Sequence, residues 1–222
     1  MISNEDEARA FCETLCDTAA MQRLEQFIPM LAAENARQNL ISTASLAGVW
    51  QRHIADSLQL LLHVPRGTSP WIDLGSGAGM PGLVLAIACP DVTFNLVESR
   101  KRRVAWLESV AEYFGLTNCH VHGARLEAVP SAPMQVICAR AFAPLPKLLS
   151  LSARFSTHDT VWLLPKGRSA AQELSEQPES IRAMFHVEHH FPMQKRPNSA
   201  SSISSVVVRP SSASKASRAR RR

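Results

Sequence analysis

The chain has 222 residues, 45% of them hydrophobic, enough to bury one full core and little beyond a single domain with an appendage. Its net charge of +5 is matched by Lys215, Arg218, Arg220, Arg221 and Arg222 alone, so the basicity belongs to a Ser/Ala/Arg-rich terminus and the rest is balanced at 19 basic against 19 acidic residues. No run approaches the ~20 apolar residues of a membrane span, and the opening Met-Ile-Ser-Asn-Glu-Asp-Glu lacks the basic and apolar regions of a signal peptide, which predicts a cytoplasmic protein.

Residues 5 to 34 read as two helices, with Ala8, Phe11, Cys12 and Leu15, then Leu24, Phe27, Ile28 and Leu31, at helical spacing. A third helical pattern runs from Leu46 through Trp50, His53, Ile54 and Leu58 to Leu62 and breaks at Pro65-Arg-Gly. Strands and helices then alternate: strand 71–74, helix 80–88, strand 93–98, helix 101–114, strands 119–122 and 134–139, helix 144–154, and a strand from Thr160. This alternation predicts a parallel sheet with helices on both faces. Past Gly167 the pattern gives a helix over 168–175, a Gln-Pro loop, and strands near 183–191 and 204–209 that pair antiparallel at the sheet edge. Three regions follow: a helical extension over 1–64, a catalytic-sized domain over 65–210, and a basic disordered tail over 211–222. The odd, scattered cysteines Cys12, Cys16, Cys89, Cys119 and Cys138 suit reduced, mostly buried thiols.

The segment Trp71-Ile-Asp-Leu-Gly-Ser-Gly-Ala-Gly-Met-Pro-Gly82 runs a short apolar strand into a loop with glycine at 75, 77 and 79. Such a loop brings bare backbone against a ligand, beyond the carboxyl ends of the strands. Gly77-Ala-Gly-Met-Pro-Gly82 also satisfies the dinucleotide string G-x-G-x-x-G, a weak match on its own. Asp73 at the strand end would repel a pyrophosphate but attract a cationic ligand such as S-adenosylmethionine. The dinucleotide fingerprint should also open directly after the strand, whereas Gly77 comes three residues past Leu74, so a methyl donor is the better fit. Glu98, ending the next strand 23 residues after Gly75, stands where nucleotide-binding sheets place an acid on the ribose hydroxyls.

Several motifs in one order give a resemblance: Asn35, Asn39-Leu40, Arg52-His53 with Asp56-Ser57, the loop Ile72 to Gly82, Arg140-Ala-Phe-Ala143, and Lys166-Gly167. From about residue 35 to 209 the chain resembles the bacterial ribosomal RNA small subunit methyltransferase G family, also called glucose-inhibited division protein B. The resemblance implies a Rossmann-like α/β fold of the class I methyltransferases, a seven-stranded mostly parallel sheet with an N-terminal helical extension. It implies N7-methylation of one guanine in the decoding-region loop of small-subunit rRNA, with S-adenosylmethionine as cofactor. It further implies that Gly75 and Met80 line the cofactor, Leu126 and Glu127 lie beside the adenine, and Arg140 completes the pocket. Glu98 takes the place of the family's usual aspartate, while Glu34 and Ile41 depart from its tryptophan and threonine. The tail beyond Pro210 has no counterpart.

Guanine N7 carries an in-plane lone pair and no proton, so no general base is expected and catalysis rests on placement. A cysteine nucleophile at Cys138 is disfavoured because strand alternation can point it into the core. Arg100, Lys101, Arg102 and Arg103 open a helix at its positive end, where cations are disfavoured, which points to an anion there, with RNA phosphate the preferred partner. Arg52, His53, Arg125, Arg140, Lys147 and Lys166 extend this basic rim. His186-Val-Glu-His-His190 and the pair His120 and His122 are not taken as metal ligands, since alternation separates His189 from His186, Glu188 and His190. The partner expected is small-subunit rRNA or its particle, met by a monomer that needs neither metal nor membrane. A small-molecule methyltransferase and a non-catalytic cofactor-sensing regulator are the alternatives.

Overall fold

The computed structural model describes residues 2–140, 142–166, 170–183, 185–189 and 205–209. Helix α1 (Glu5–Glu13) is capped by Asn4, whose side chain accepts from the Glu7 N–H at 2.8 Å, and α2 (Thr18–Gln38) by Asp17, which accepts from Ala20 at 2.7 Å. The latter ends where Asn39 turns left-handed, at φ 50°. The helix expected over 46–62 is instead subdivided into α3 (Thr43–Leu46), a π-helical turn over Trp50–Ile54, α4 (Ala55–Leu58) and a 3₁₀ turn over Gln59–His63. A long-range contact accounts for the new start. The Glu5 carboxylate of α1 accepts from the backbone N–H groups of Trp50 and Gln51 at 2.9 and 2.8 Å, capping the π turn from another helix.

The catalytic-sized part alternates as β1 (Trp71–Leu74), α5 (Gly82–Ala88), β2 (Phe94–Val97), α6 (Lys101–Tyr113), β3 (Cys119–His122), β4 (Val136–Cys138), α7 (Leu145–Ser152) and β5 (Val161–Lys166). It continues through α8 (Ala170–Ser175), α9 (Glu179–Arg182), β6 (His186–His189) and β7 (Ser205–Arg209). The sheet order is β3-β2-β1-β4-β5-β7-β6, with β1 to β5 parallel and β7 antiparallel to both neighbours. Helix α9 occupies part of the expected Gln-Pro loop, with Pro178 as its cap residue, and shortens the strand expected from 183. Tail residues 211–222, Gly167 and His190 lie outside the described residues.

Strand alternation divides the core. Trp71 and Phe94 face α1, α2, α4 and α5 in one apolar cluster with Leu24, Phe27, Leu31, Ile54, Leu58 and Leu83. Ile72, Leu74, Ile137 and Trp162 face α7 with Leu148 and Phe155. The N-terminal helices therefore share a core with the sheet. Phe27 of α2 meets Trp106 of α6 with ring centroids 6.0 Å apart. All five cysteines are free; burial pushes Cys12, Cys16 and Cys119 up to about 12 and Cys138 well above the ordinary thiol range. Among the described residues no helix is long and apolar enough to cross a membrane.

Candidate functional site

The chain winds from β1 outward to β2 and β3, then returns to β4 on the other side of β1. This reversal opens a crevice at the carboxyl ends of β1 and β4, and the glycine loop lies there. Gly75 and Ser76 donate backbone bonds to the Val97 carbonyl at 2.8 and 3.0 Å, and Gly79 closes on Ser76 at 2.7 Å. Gly75 has φ +72° and a Cβ there would come within 2.8 Å of Phe142; Gly79 has φ +99° and a Cβ would meet Leu83 at 2.5 Å. Trp106 donates to the Ala78 carbonyl at 3.0 Å, bracing the loop from α6.

Beside this loop is a cleft of about 340 Å³, within the size range of small-molecule sites. It brings together Gly75, Glu98, Leu126 and Glu127 from the expected cofactor set with Arg100, Arg103, Arg125 and Lys147 from the expected basic rim. Val97, Ser99, Ala124, Phe142, Ala143 and Leu151 complete it; of these, Phe142 was legible only as part of the Arg140-Ala-Phe-Ala143 motif. Met80 and Gly79 are buried within the cradle's own packing and do not line the cleft, and Asp73, Gly77 and Arg140 of the expected cofactor set also lie outside its lining.

Glu98 does more locally than its position suggested. Its Oε1 accepts from the Ser99 and Arg100 N–H groups at 2.8 and 2.9 Å, and its Oε2 from Gly77 at 3.1 Å with Arg103 Nη1 at 3.9 Å. The carboxylate thus clasps the glycine loop to the start of α6. It also places one anion of the chain itself beside the basic helix start. A carboxylate has about four lone-pair sites, so Oε2 retains one for a hydroxyl entering the cleft.

Asp73 lies behind the glycine loop, outside the cleft lining. It is 2% exposed, and its Oδ2 accepts from the Gly82 N–H at 3.1 Å. Burial raises its pKa to about 6, opposed by hydrogen bonds from Ser76 and Gly82, by the Arg140 charge and by Cys138. Cys138, its register partner on β4, lies with Sγ 3.8 Å from Oδ1; this thiol is core, not a nucleophile at a surface. Arg140 extends from the end of β4 into the same polar node, with Asp56 and Asp73 supplying counter-charge. His53 joins it, its Nδ1 3.1 Å from Arg140 Nη1.

That placement moves His53 off the expected RNA face: it is buried at 8% exposure. Lys101 and Arg102 are exposed at the start of α6, where Arg102 also donates to the Arg37 carbonyl at 2.8 Å. Arg52 is half-buried on the π turn, and Lys166 pairs with Glu173 at 2.7 Å at the end of β5. His122 is engaged with Asn95 at 3.0 Å. Among the described residues no group of three His, Cys, Asp or Glu side chains comes together to hold a metal ion.

A family model described as rRNA small subunit methyltransferase G matches residues 20–201. Among curated relatives, a ribosomal RNA small subunit methyltransferase G from Erythrobacter litoralis is 56% identical over 85% of this chain and 91% of its own length. One from Novosphingobium aromaticivorans is 51% identical over 83% and 82%. Among solved structures, that of a mutant of MtNAS in complex with S-adenosylmethionine aligns with a TM-score of 0.55 at 15% identity, covering 87% of this chain and 76% of that one, a likeness of fold. With the loop, the switch-point cleft and matches spanning most of its length, the chain belongs to the rRNA small subunit methyltransferase G family.

Proposed function

We propose that this protein transfers the methyl group of S-adenosylmethionine to N7 of a guanine in the decoding-region loop of small-subunit rRNA. The observation that carries the reading is the glycine cradle closing on a nucleoside-sized cleft whose acid, Glu98, keeps an acceptor site open. The residues present fit the cofactor. Gly75 offers bare backbone, Glu98 faces the ribose, Leu126 and Glu127 take the adenine side, and Asp73 with Arg140 meets the charged amino-acid end. When bound, the cofactor supplies an electrophilic methyl on a sulfonium.

The chain's part is placement. N7 presents a lone pair without a proton, so no side chain has to remove one, and orientation of N7 on the methyl supplies roughly 7 to 11 kcal/mol of the barrier reduction. Positive charge moves onto the purine as the bond forms, and the carboxylates around the crevice favour that movement. Arg100, Lys101, Arg102 and Arg103, with Arg52 and Lys166, hold phosphates of a looped RNA strand from which the guanine is exposed. Residues 1–64 form a helical extension on the domain over 65–210, and the protein works as a cytoplasmic monomer.

The test is transfer of labelled methyl to small-subunit particles from cells lacking this gene, followed by nucleoside analysis. Label is expected at one N7-methylguanosine. Tight cofactor binding without label would turn the reading to a small-molecule methyltransferase or a non-catalytic regulator.

A further inference from the structure

Among the polar contacts between the N-terminal helices and the sheet, one involves His53 and Arg140. His53 sits in the π-helical turn, a local widening of the helix that recurs at functional sites. Its Nδ1 is 3.1 Å from Arg140 Nη1. A guanidinium has donors only, so Nδ1 is the acceptor and the ring proton resides on Nε2. The buried Nε2 has no hydrogen-bond partner among the described residues. The imidazole gives Arg140 a neutral acceptor. Burial, then the charges of Arg140 and Arg52, pushes its pKa down to about 3, so the ring does not become a competing cation.

Arg140 needs that acceptor. Its guanidinium leaves the end of β4 beside the glycine loop, with Asp56 and Asp73 as counter-charges. Carboxylates orient a guanidinium as well as neutralising it, and the imidazole adds a neutral contact at one of its N–H groups, on Nη1. The imidazole is itself held by a turn whose first N–H groups are capped by Glu5 from α1.

We propose that His53 is a positioning residue for cofactor binding, its neutral imidazole fixing the Arg140 guanidinium in the orientation that receives S-adenosylmethionine. This rests on the reading of Arg140 as part of the cofactor site. The N-terminal extension then contributes to the methyl-donor site itself.

The experiment compares His53→Leu, His53→Asn, Arg140→Ala and the double variant His53→Leu/Arg140→Ala in the full chain. Cofactor affinity is read by calorimetry, KM and kcat by methyl transfer, RNA affinity by filter binding and folding by thermal melting. His53→Leu removes a hydrogen bond to a charged group and is expected to weaken cofactor binding about tenfold or more, raising KM for cofactor more than it lowers kcat and leaving RNA affinity unchanged. His53→Asn, whose Oδ1 takes the place of Nδ1, restores affinity. In the Arg140→Ala background, His53→Leu adds nothing. Wild-type cofactor affinity in His53→Leu alongside weakened binding in Arg140→Ala would overturn the role of His53. Undiminished binding in Arg140→Ala would instead overturn the reading on which it rests. Should His53→Leu fail to fold, His53→Asn and His53→Gln decide: Gln places its amide near Nε2, and equal cofactor affinity in the two overturns the proposal.

Discussion

Burial holds the Asp73 carboxyl up at about 6 against an ordinary 3.8, and this one shift has opposite consequences for stability and for binding. Between these values the folded state keeps a proton that the unfolded state has lost. The buried charge therefore costs stability above pH ~6, and the cost is relieved as pH falls toward ~3.8. On the proposed role of Asp73, cofactor affinity runs the other way, since protonation removes the charge offered to its ammonium. Titration calorimetry from about pH 7.5 to about pH 5 should show affinity falling through the upper value, and Asp73→Asn should be weak and flat over that range. Gly75→Ala tests the opposite side of the loop. Its φ of +72° costs an L-residue about 1–2 kcal/mol, and the new methyl must displace Phe142. Cofactor affinity should fall beyond what the loss in melting temperature explains; wild-type affinity would remove the loop from the site. The glycines, Glu98 and Asp73 stood out in the sequence because each sits at a fixed spacing from a strand end. The engagement of Glu98 with three backbone N–H groups did not, nor did the burial of His53, because both depend on which segments the topology brings together.

At the scale of elements, α6 links the two sides of the proposed activity. Its first turn carries the exposed cations while Glu98 accepts from the Ser99 and Arg100 N–H groups just before it, and its Trp106 holds the glycine loop at Ala78. Arg102→Ala with Arg103→Ala should lower RNA affinity and flatten its dependence on salt by up to about two phosphate contacts. Because Arg103 also lines the cleft, the single Arg103→Ala should raise KM for cofactor while Arg102→Ala leaves it unchanged. Unaltered salt dependence in the double variant would take α6 off the RNA path. Strands such as Phe94–Val97 and Val136–Cys138 were readable from short apolar runs because both faces of the sheet are covered. The segment 46–62 misled for a physical reason: its apolar spacing is helical throughout, while its subdivision follows from Glu5, some 45 residues earlier in the chain.

In the whole molecule, the helical N-terminus and the sheet share one apolar cluster, while the switch point lies where β1 and β4 part. The parallel pairing of β1 to β5 was expected from alternation, but the insertion of β7 between β5 and β6 is a long-range pairing that local pattern leaves open. The cysteines are distributed across this architecture, with Cys12 in α1 and Cys138 in the middle of the sheet, both fully buried. Thiolate is the form that alkylating reagents attack, and with these pKa values raised the native chain presents almost none. Each thiol thus becomes a clock for the opening of its own neighbourhood. Under a small-molecule alkylating reagent at increasing denaturant, mass spectrometry should find Cys12 modified before Cys138, the interval between them measuring how much more easily α1 peels away than the sheet unfolds. Simultaneous modification would mean that the helical layer and the sheet open as one cooperative unit.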